Sequence, residues 1–429
     1  MATSIISAGD AANLGVQTTG GDDGVLVLRS GAAGAKVDAL SIAASGAGTF
    51  VGEVTATGFT GTLDGVLGGG TPAAANVTTL AASGDLTANN FAGKNRIING
   101  AMRIDQRNSG VSVTLTNGVI YVLDRYRTVA IGTSLGFSSV RSATAPAGFS
   151  QSYLATVTSA KSVAATDQTR IDQFIEGYNV ADLNFGTANA KTITLSFWVR
   201  SSVTGTYCVH IGNSASPSRS FLAEYTISSA DTFEYKTITI SGDTTGTWTT
   251  VNGAGLGVSF VLGMGSNFTG SAGWQAGEKY QTSNQTQWIG TSGATFYFTG
   301  VQIEAGSAAT EFEHRNFGEE LALCQRYYYQ TVYGGSDTTI AHGTAASATV
   351  AAQCGSTHPV TMRAIPTLAE AGTLTAYDGT ANGDIGISVN SCSITNLSFN
   401  CTASSLTEGR AVQILANAAA DYLTLTAEL

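Results

Sequence analysis

The chain has 429 residues, of which 43% are hydrophobic and only 12% charged, with a formal charge of −10. That charged share is about half of the roughly 25% usual for a soluble chain, and 52 glycines stand against 5 prolines. Such a mixture describes short strands and tight turns beneath a surface of hydroxyls and amides. An acidic chain without a basic footprint excludes nucleic acid as a partner, and no apolar run approaches the roughly 20 residues that span a bilayer.

Met1 to Asp10 lacks a basic stretch followed by an apolar core, so no signal peptide is expected. The first ninety or so residues hold few aromatics and long runs of Gly, Ala and Thr. An internal repeat lies there: Gly52-Glu53-Val54-Thr55-Ala56-Thr57-Gly58-Phe59-Thr60-Gly61 matches Gly84-Asp85-Leu86-Thr87-Ala88-Asn89-Asn90-Phe91-Ala92-Gly93. Fixed spacing makes each copy one supersecondary unit. A single strand pair buries little apolar area, whereas three chains around an axis can share a core. Phe59 and Phe91 are therefore expected trimer contacts. A flexible linker is the alternative, opposed by strand-like alternation such as Gly24-Val25-Leu26-Val27-Leu28.

From Lys94 onward, aromatic and β-branched residues increase. Strand-like runs recur at Val111 to Leu115, Tyr153 to Val157, Thr192 to Arg200, Thr237 to Ile240, Gly257 to Leu262 and Thr295 to Ile303, with turn clusters at Gly242-Asp243 and Asn252-Gly253. Regularly punctuated short strands predict a sandwich or jelly roll. A helix is predicted from Phe317 to Arg326, capped by Asn316, with two acids in its first turn. Strand and turn resume to the end and close on the alternating Tyr422-Leu423-Thr424-Leu425-Thr426, a smaller β tip domain.

Two passages resemble a known family. Asn95-Arg96-Ile97-Ile98-Asn99-Gly100-Ala101-Met102-Arg103-Ile104-Asp105-Gln106-Arg107, with Asp124-Arg125-Tyr126 downstream, resembles the opening of a jelly-roll module common in bacteriophage tail fibres. Its closing passage is Gly300-Val301-Gln302-Ile303-Glu304-Ala305-Gly306, continuing through Ala309-Thr310-Glu311-Phe312-Glu313-His314-Arg315 to Glu320-Leu321-Ala322-Leu323-Cys324-Gln325-Arg326-Tyr327-Tyr328. The resemblance covers roughly residues 94 to 330. It implies a mainly β, elongated homotrimeric fibre of the virion tail, folded in the host cytoplasm before release. Residues 1–93 would form the virion-attachment and shaft region, docked on a tail adaptor or nozzle protein. A jelly-roll sandwich at 94–315, a connecting helix at 316–330 and a tip domain at 331–429 would follow. The function implied is adsorption to a host-surface glycan or lipopolysaccharide; a decoration or whisker fibre and a depolymerising tailspike are the alternatives. Similar modules resemble carbohydrate-binding modules, some with a structural calcium between two acidic sites. Ala101-Met102 and Thr299-Gly300 stand at those places here, and no metal or cofactor is assigned.

No catalytic residues are assigned either. Four histidines show no metal-ligand spacing, and neither a GxSxG elbow nor a GxxxxGKS loop occurs. Five cysteines without a CxxC pair are expected to be free thiols, and Cys324 a packed apolar residue. Carboxylates close in sequence are Asp172 with Glu176, and Glu304 with Glu311 and Glu313. Sugars stack on aromatic faces while amides and carboxylates bond their hydroxyls. Trp248, Trp274, Tyr280 and Trp288 lie among Gly, Thr, Ser, Asn and Gln and are the expected ligand residues; Trp198, in an alternating strand, is expected in the core. Arg315, Glu320 and Arg326 are expected to form ion pairs between subunits, with Leu321 as a further trimer contact.

Overall fold

The computed structural model describes residues 93–132, 136–216, 218–332, 334–335, 337–380 and 382–429, and the strand backbone at 16–17, 26–30, 37–42 and 48–50. Met1–Ala81 and Ala82–Leu429 are separate compact units. In the first, β1 (Val16–Gln17), β2 (Leu26–Ser30), β3 (Val37–Ile42) and β4 (Gly48–Phe50) pair antiparallel in that order. Leu26, Val27 and Leu28 of the alternating stretch lie in β2. The repeat and Phe59 and Phe91 lie outside the described residues.

The second unit begins with an antiparallel β-sandwich. Its strands are β5 (Val113–Leu115), β6 (Gly118–Leu123), β7 (Tyr126–Ile131), β8 (Gly136–Ser142), β9 (Ser152–Ser159), β10 (Gln168–Glu176) and β11 (Ile193–Ser201). They continue with β12 (Gly205–Gly212), β13 (Arg219–Ile227), β14 (Glu234–Ile240), β15 (Ala254–Met264), β16 (Gly273–Ala276) and β17 (Thr295–Ala305). One sheet runs β16-β13-β12-β15-β10-β7-β6, the other β14-β11-β17-β9-β8-β5. The chain passes between sheets from β5 to β6, β7 to β8, β9 to β10, β10 to β11, β11 to β12, β13 to β14, β14 to β15 and β16 to β17, the crossing pattern of a jelly roll. Every predicted strand segment overlaps one of these elements, although β5 starts two residues later than Val111 and β11 one later than Thr192.

Period-two alternation explains the core. Leu195, Phe197 and Val199 of β11, Tyr207, Val209 and Ile211 of β12, and Leu256, Val258, Phe260 and Leu262 of β15 all point between the sheets. Phe296, Phe298 and Phe260 meet there at centroid distances of 4.5 to 6.2 Å, filling the roughly 10 Å gap between stacked sheets.

The passages that carry the family resemblance form a polar seam along this sandwich. Asn95 donates Nδ2 to the Val301 carbonyl (3.1 Å), and its Oδ1 accepts the Ile97 and Ile303 amides (2.9 and 3.1 Å). The Gln173 amide exchanges both bonds with the Ile98 backbone, each 2.9 Å. Gly100 is required here because a Cβ would lie 2.3 Å from the Val301 carbonyl oxygen. The helix α1 (Phe317–Gln325) starts after Asn316, whose extended backbone suits an N-cap although its side chain makes no capping bond. Cys324 is buried with Ile98, Ile104 and Tyr327, and Leu321 packs beside them.

Beyond the helix, Tyr328–Gln330, Tyr422–Thr426 and Thr367–Ala371 form a three-stranded sheet. A seven-stranded sheet surrounds Thr338–Ser347 and Ala411–Ala416, over a core that includes Leu397, Phe399, Ile414 and Leu423. This tip is bonded to the sandwich rather than free of it. Glu428 pairs with Arg107 (2.7 Å) and Arg125, and Arg363 donates Nη1 to Asn252 (2.8 Å). All five cysteines are buried free thiols.

Candidate ligand groove

Trp198 is not a core residue. Its neighbours Phe197 and Val199 take the inward places, so alternation turns Trp198 outward, where it stands in register with Tyr235 of β14 and Thr299 of β17. The Trp198 and Tyr235 rings lie 5.3 Å apart, tilted by 46°, and Tyr235 is 44% exposed. The sequence carried the signal, because residues two apart share a face; the error came from reading all large residues of the strand as core.

A β-bulge in β17 makes room for them. Gly300 has φ +62, and a Cβ there would meet Phe149 Cζ at 2.7 Å and Trp198 Cδ1 at 3.1 Å. Such a backbone favours glycine. Phe149, Phe312 and His314 form an aromatic trio with centroids 4.9 to 5.3 Å apart, two of its contacts edge-on and one tilted, and with Trp198 they line a groove of about 660 Å³. Ser196, Glu311 and His314 add polar groups.

The groove's far wall, residues 309–314, is fixed by bonds from buried polar groups. Glu304 accepts the Thr310 amide (2.9 Å) and hydroxyl (2.6 Å), and Gln302 donates to Glu304 (2.9 Å) while accepting the Glu313 amide (2.9 Å). Lys94 Nζ bonds the Thr310 hydroxyl at 2.6 Å and the Glu311 carbonyl at 2.7 Å. A rigid wall opposite a rigid strand presents aromatic faces without an ordering cost at binding.

The expected ligand residues do not converge. Trp288 is fully buried against Phe137 and Phe296, at 6.1 and 6.4 Å; its loop folds inward and delivers the indole to the core. Trp248 and Trp274 pack edge-to-face at 5.6 Å with Phe185, and their indole N–H groups are taken by the Thr245 and Ser241 carbonyls (3.1 and 2.6 Å). Backbone carbonyls, one three residues away and the other 33, satisfied these indole nitrogens. Tyr280 lies on the outer face of the β16-to-β6 sheet, remote from the tryptophans, packed against His210 and Phe268 with ring centroids 4.4 and 6.0 Å away, with its hydroxyl on Glu278 (3.0 Å).

The helix charges expected to pair between subunits have partners within the chain. Arg326 holds Glu176 with two bonds (3.0 and 2.8 Å), and Tyr327 donates to the same carboxylate (2.8 Å). Burial works to raise Glu176, but Arg326 and Tyr327 outweigh it and hold the carboxyl below its usual range. Arg315 reaches Glu320 (3.4 Å) and the carbonyls of Ile97 and Asn95, and Glu320 accepts the Asn99 amide. The carboxylates close in sequence are thus largely engaged in structural bonds. Among the described residues, no cluster of His, Cys, Asp or Glu is arranged to hold a metal.

No protein-family model and no curated protein matches the chain. Among solved structures it is similar to a CBM4 module at 14% identity, covering 48% of this chain and 98% of that one, with a TM-score of 0.23. A family 11 carbohydrate-binding module from Clostridium thermocellum, in complex with a β-1,3-1,4-mixed-linked tetrasaccharide, aligns at 12% identity over 47% and 98%, TM-score 0.23. The N-terminal cellulose-binding domain from Cellulomonas fimi β-1,4-glucanase C aligns at 10% over 48% and 95%, TM-score 0.19. Likenesses at this level do not define a ligand, and what the groove can hold follows from its own side chains.

Proposed function

We propose that the sandwich is a glycan-binding head, and that the groove at Trp198 and Tyr235 is where a sugar chain stacks. The observation that supports this is a pair of adjacent, accessible aromatic rings beside a rigid wall. Pyranose rings present C–H faces that suit such rings, while their hydroxyls reach Glu311, His314 and Ser196. Glu311 is the one carboxylate lining the groove among its described residues, whereas glycoside hydrolysis generally uses two. Binding without cleavage is therefore the reading we adopt.

The wider proposal follows the family resemblance. The chain would be a trimeric tail fibre of a bacteriophage, attached to the virion through its N-terminal region and displaying three heads to the host surface. Weak single sites then suffice, because three linked copies raise avidity. Trp198→Ala should weaken binding of host-surface polysaccharide about tenfold or more, with unchanged melting temperature, by isothermal titration. Undiminished affinity in Trp198→Ala and Tyr235→Ala together would overturn the groove as the site.

A further inference from the structure

The Trp198 groove has an unbalanced charge. Among its lining residues Glu311 is the only carboxylate, and no Lys or Arg accompanies it. Glu311 is exposed, and its carboxylate has no hydrogen bond or ion pair among the described residues. What holds the wall at this position is the backbone carbonyl of Glu311, which accepts Lys94 Nζ (2.7 Å) and Gln302 Nε2 (3.2 Å). The neighbouring acids are engaged. Glu304 accepts the Thr310 amide and hydroxyl, and Glu313 accepts the Asn95 amide (2.7 Å).

The cations nearby do not cancel Glu311. Lys94 turns into the wall, where its ammonium bonds the same Thr310 hydroxyl that Glu304 holds, at 2.6 Å each. Arg315 lies against Glu320 and Glu313 (3.4 and 3.7 Å). On the open side, Arg200 is matched by Asp231 (3.2 Å) and Lys236 by Glu234 (2.7 Å). Each of these cations has an acid beside it, so one negative charge is left over at the groove.

An exposed carboxylate alone attracts a cation weakly. Aromatic rings strengthen that attraction, because the electron density over their faces is negative. Trp198 and Tyr235 lie 5.3 Å apart, and Phe149 and Phe312 5.0 Å apart. A cation in the groove thus meets four rings and a free carboxylate. An anion there meets the same charge with the opposite sign of interaction.

We propose that the sugar selected by this groove is cationic: an amino sugar with a free, protonated amine, its ammonium on Glu311 and its ring against Trp198 and Tyr235. This rests on the groove being a glycan site and narrows the ligand by charge. Neutral sugars keep the stacking and lose the ion pair, and uronates are repelled.

The test is calorimetric titration of the full chain with three tetrasaccharides of one linkage: glucosamine, glucose, in which a hydroxyl replaces each amine, and the corresponding uronate. The pH is chosen to keep the amines protonated. The glucosamine form should bind about fivefold or more tighter than the glucose form, the uronate should bind weakest, and the advantage of the amine should shrink with added salt. Glu311→Gln keeps the side chain's shape and the backbone bonds of the wall. It should melt at an unchanged temperature and bind the glucosamine form no better than the glucose form. Equal affinity for amine and hydroxyl sugars, an advantage that survives Glu311→Gln, or tighter binding of the uronate would overturn the proposal. If Trp198→Ala still weakened all the sugars in that case, the groove itself would stand. Binding indifferent to Trp198→Ala would instead remove the groove, and the amine preference with it.

Discussion

Trp198 follows Phe197 and precedes Val199 in a strand whose alternate positions enter the core, and Gly300 opposite it keeps the space above β17 clear. Gly300→Ala should cost about 1–2 kcal/mol from the left-handed backbone alone. It should also push Phe149 and Trp198 apart and reduce glycan affinity, which thermal melting and titration of the same variant would check. His210 gives a prediction in pH. Burial, with Arg170 nearby, pushes it down to about 3 against the opposing pull of Asp172. The unfolded chain, with an ordinary histidine near 6.5, takes up a proton first as pH falls. Stability tied to His210 is then fully present above about 6.5 and declines toward 3. The loss by pH 4.5 should be on the order of 2 kcal/mol. His210→Asn should flatten denaturant-measured stability between pH 6.5 and 4.5; an unchanged slope would show that other groups set it.

At the scale of elements, α1 is held by charges as well as by the packing of Leu321 and Cys324. Arg326 leaves the helix end to clamp Glu176, the last residue of β10, whose side chain is only 1% exposed. Arg326→Ala leaves that carboxylate with Tyr327 alone and should destabilise by about 2–3 kcal/mol, the low end for a broken buried pair because Arg326 itself is 32% exposed. The measurement is chemical denaturation. A loss under 0.5 kcal/mol would mean that water replaces the guanidinium. The helix was legible in sequence from its cap, its acids and Arg326, and the strands from their alternation and turn clusters. The partners of its charges were not, since Glu176 lies 150 residues away in the chain.

For the whole molecule, the jelly-roll sandwich and the tip are joined through the C-terminal residues, with Glu428 on Arg107 and Arg125, and Tyr121 donating to the Leu429 carbonyl (3.0 Å). Removing Ala427 to Leu429 should therefore loosen the tip and raise its proteolysis while the sandwich persists. The trimer proposal has its own test in native mass spectrometry of the intact protein. A mass near three times the 43.8 kDa chain is expected, and a stable monomer would leave the N-terminal repeats without a shared core.

The sequence by itself determined the β class, six of the sandwich strands, the helix after Asn316 and the buried state of Cys324, because each follows from local periodicity and from side-chain types a few residues apart. Which aromatic rings face outward together was decided only by tertiary structure. Trp288, Trp248 and Trp274 lie in short turns and an edge strand whose course depends on distant strands, and their indole groups were drawn to the core or to backbone carbonyls. Trp198 and Tyr235 are 37 positions apart in number yet adjacent in register, since antiparallel pairing turns sequence separation into contact.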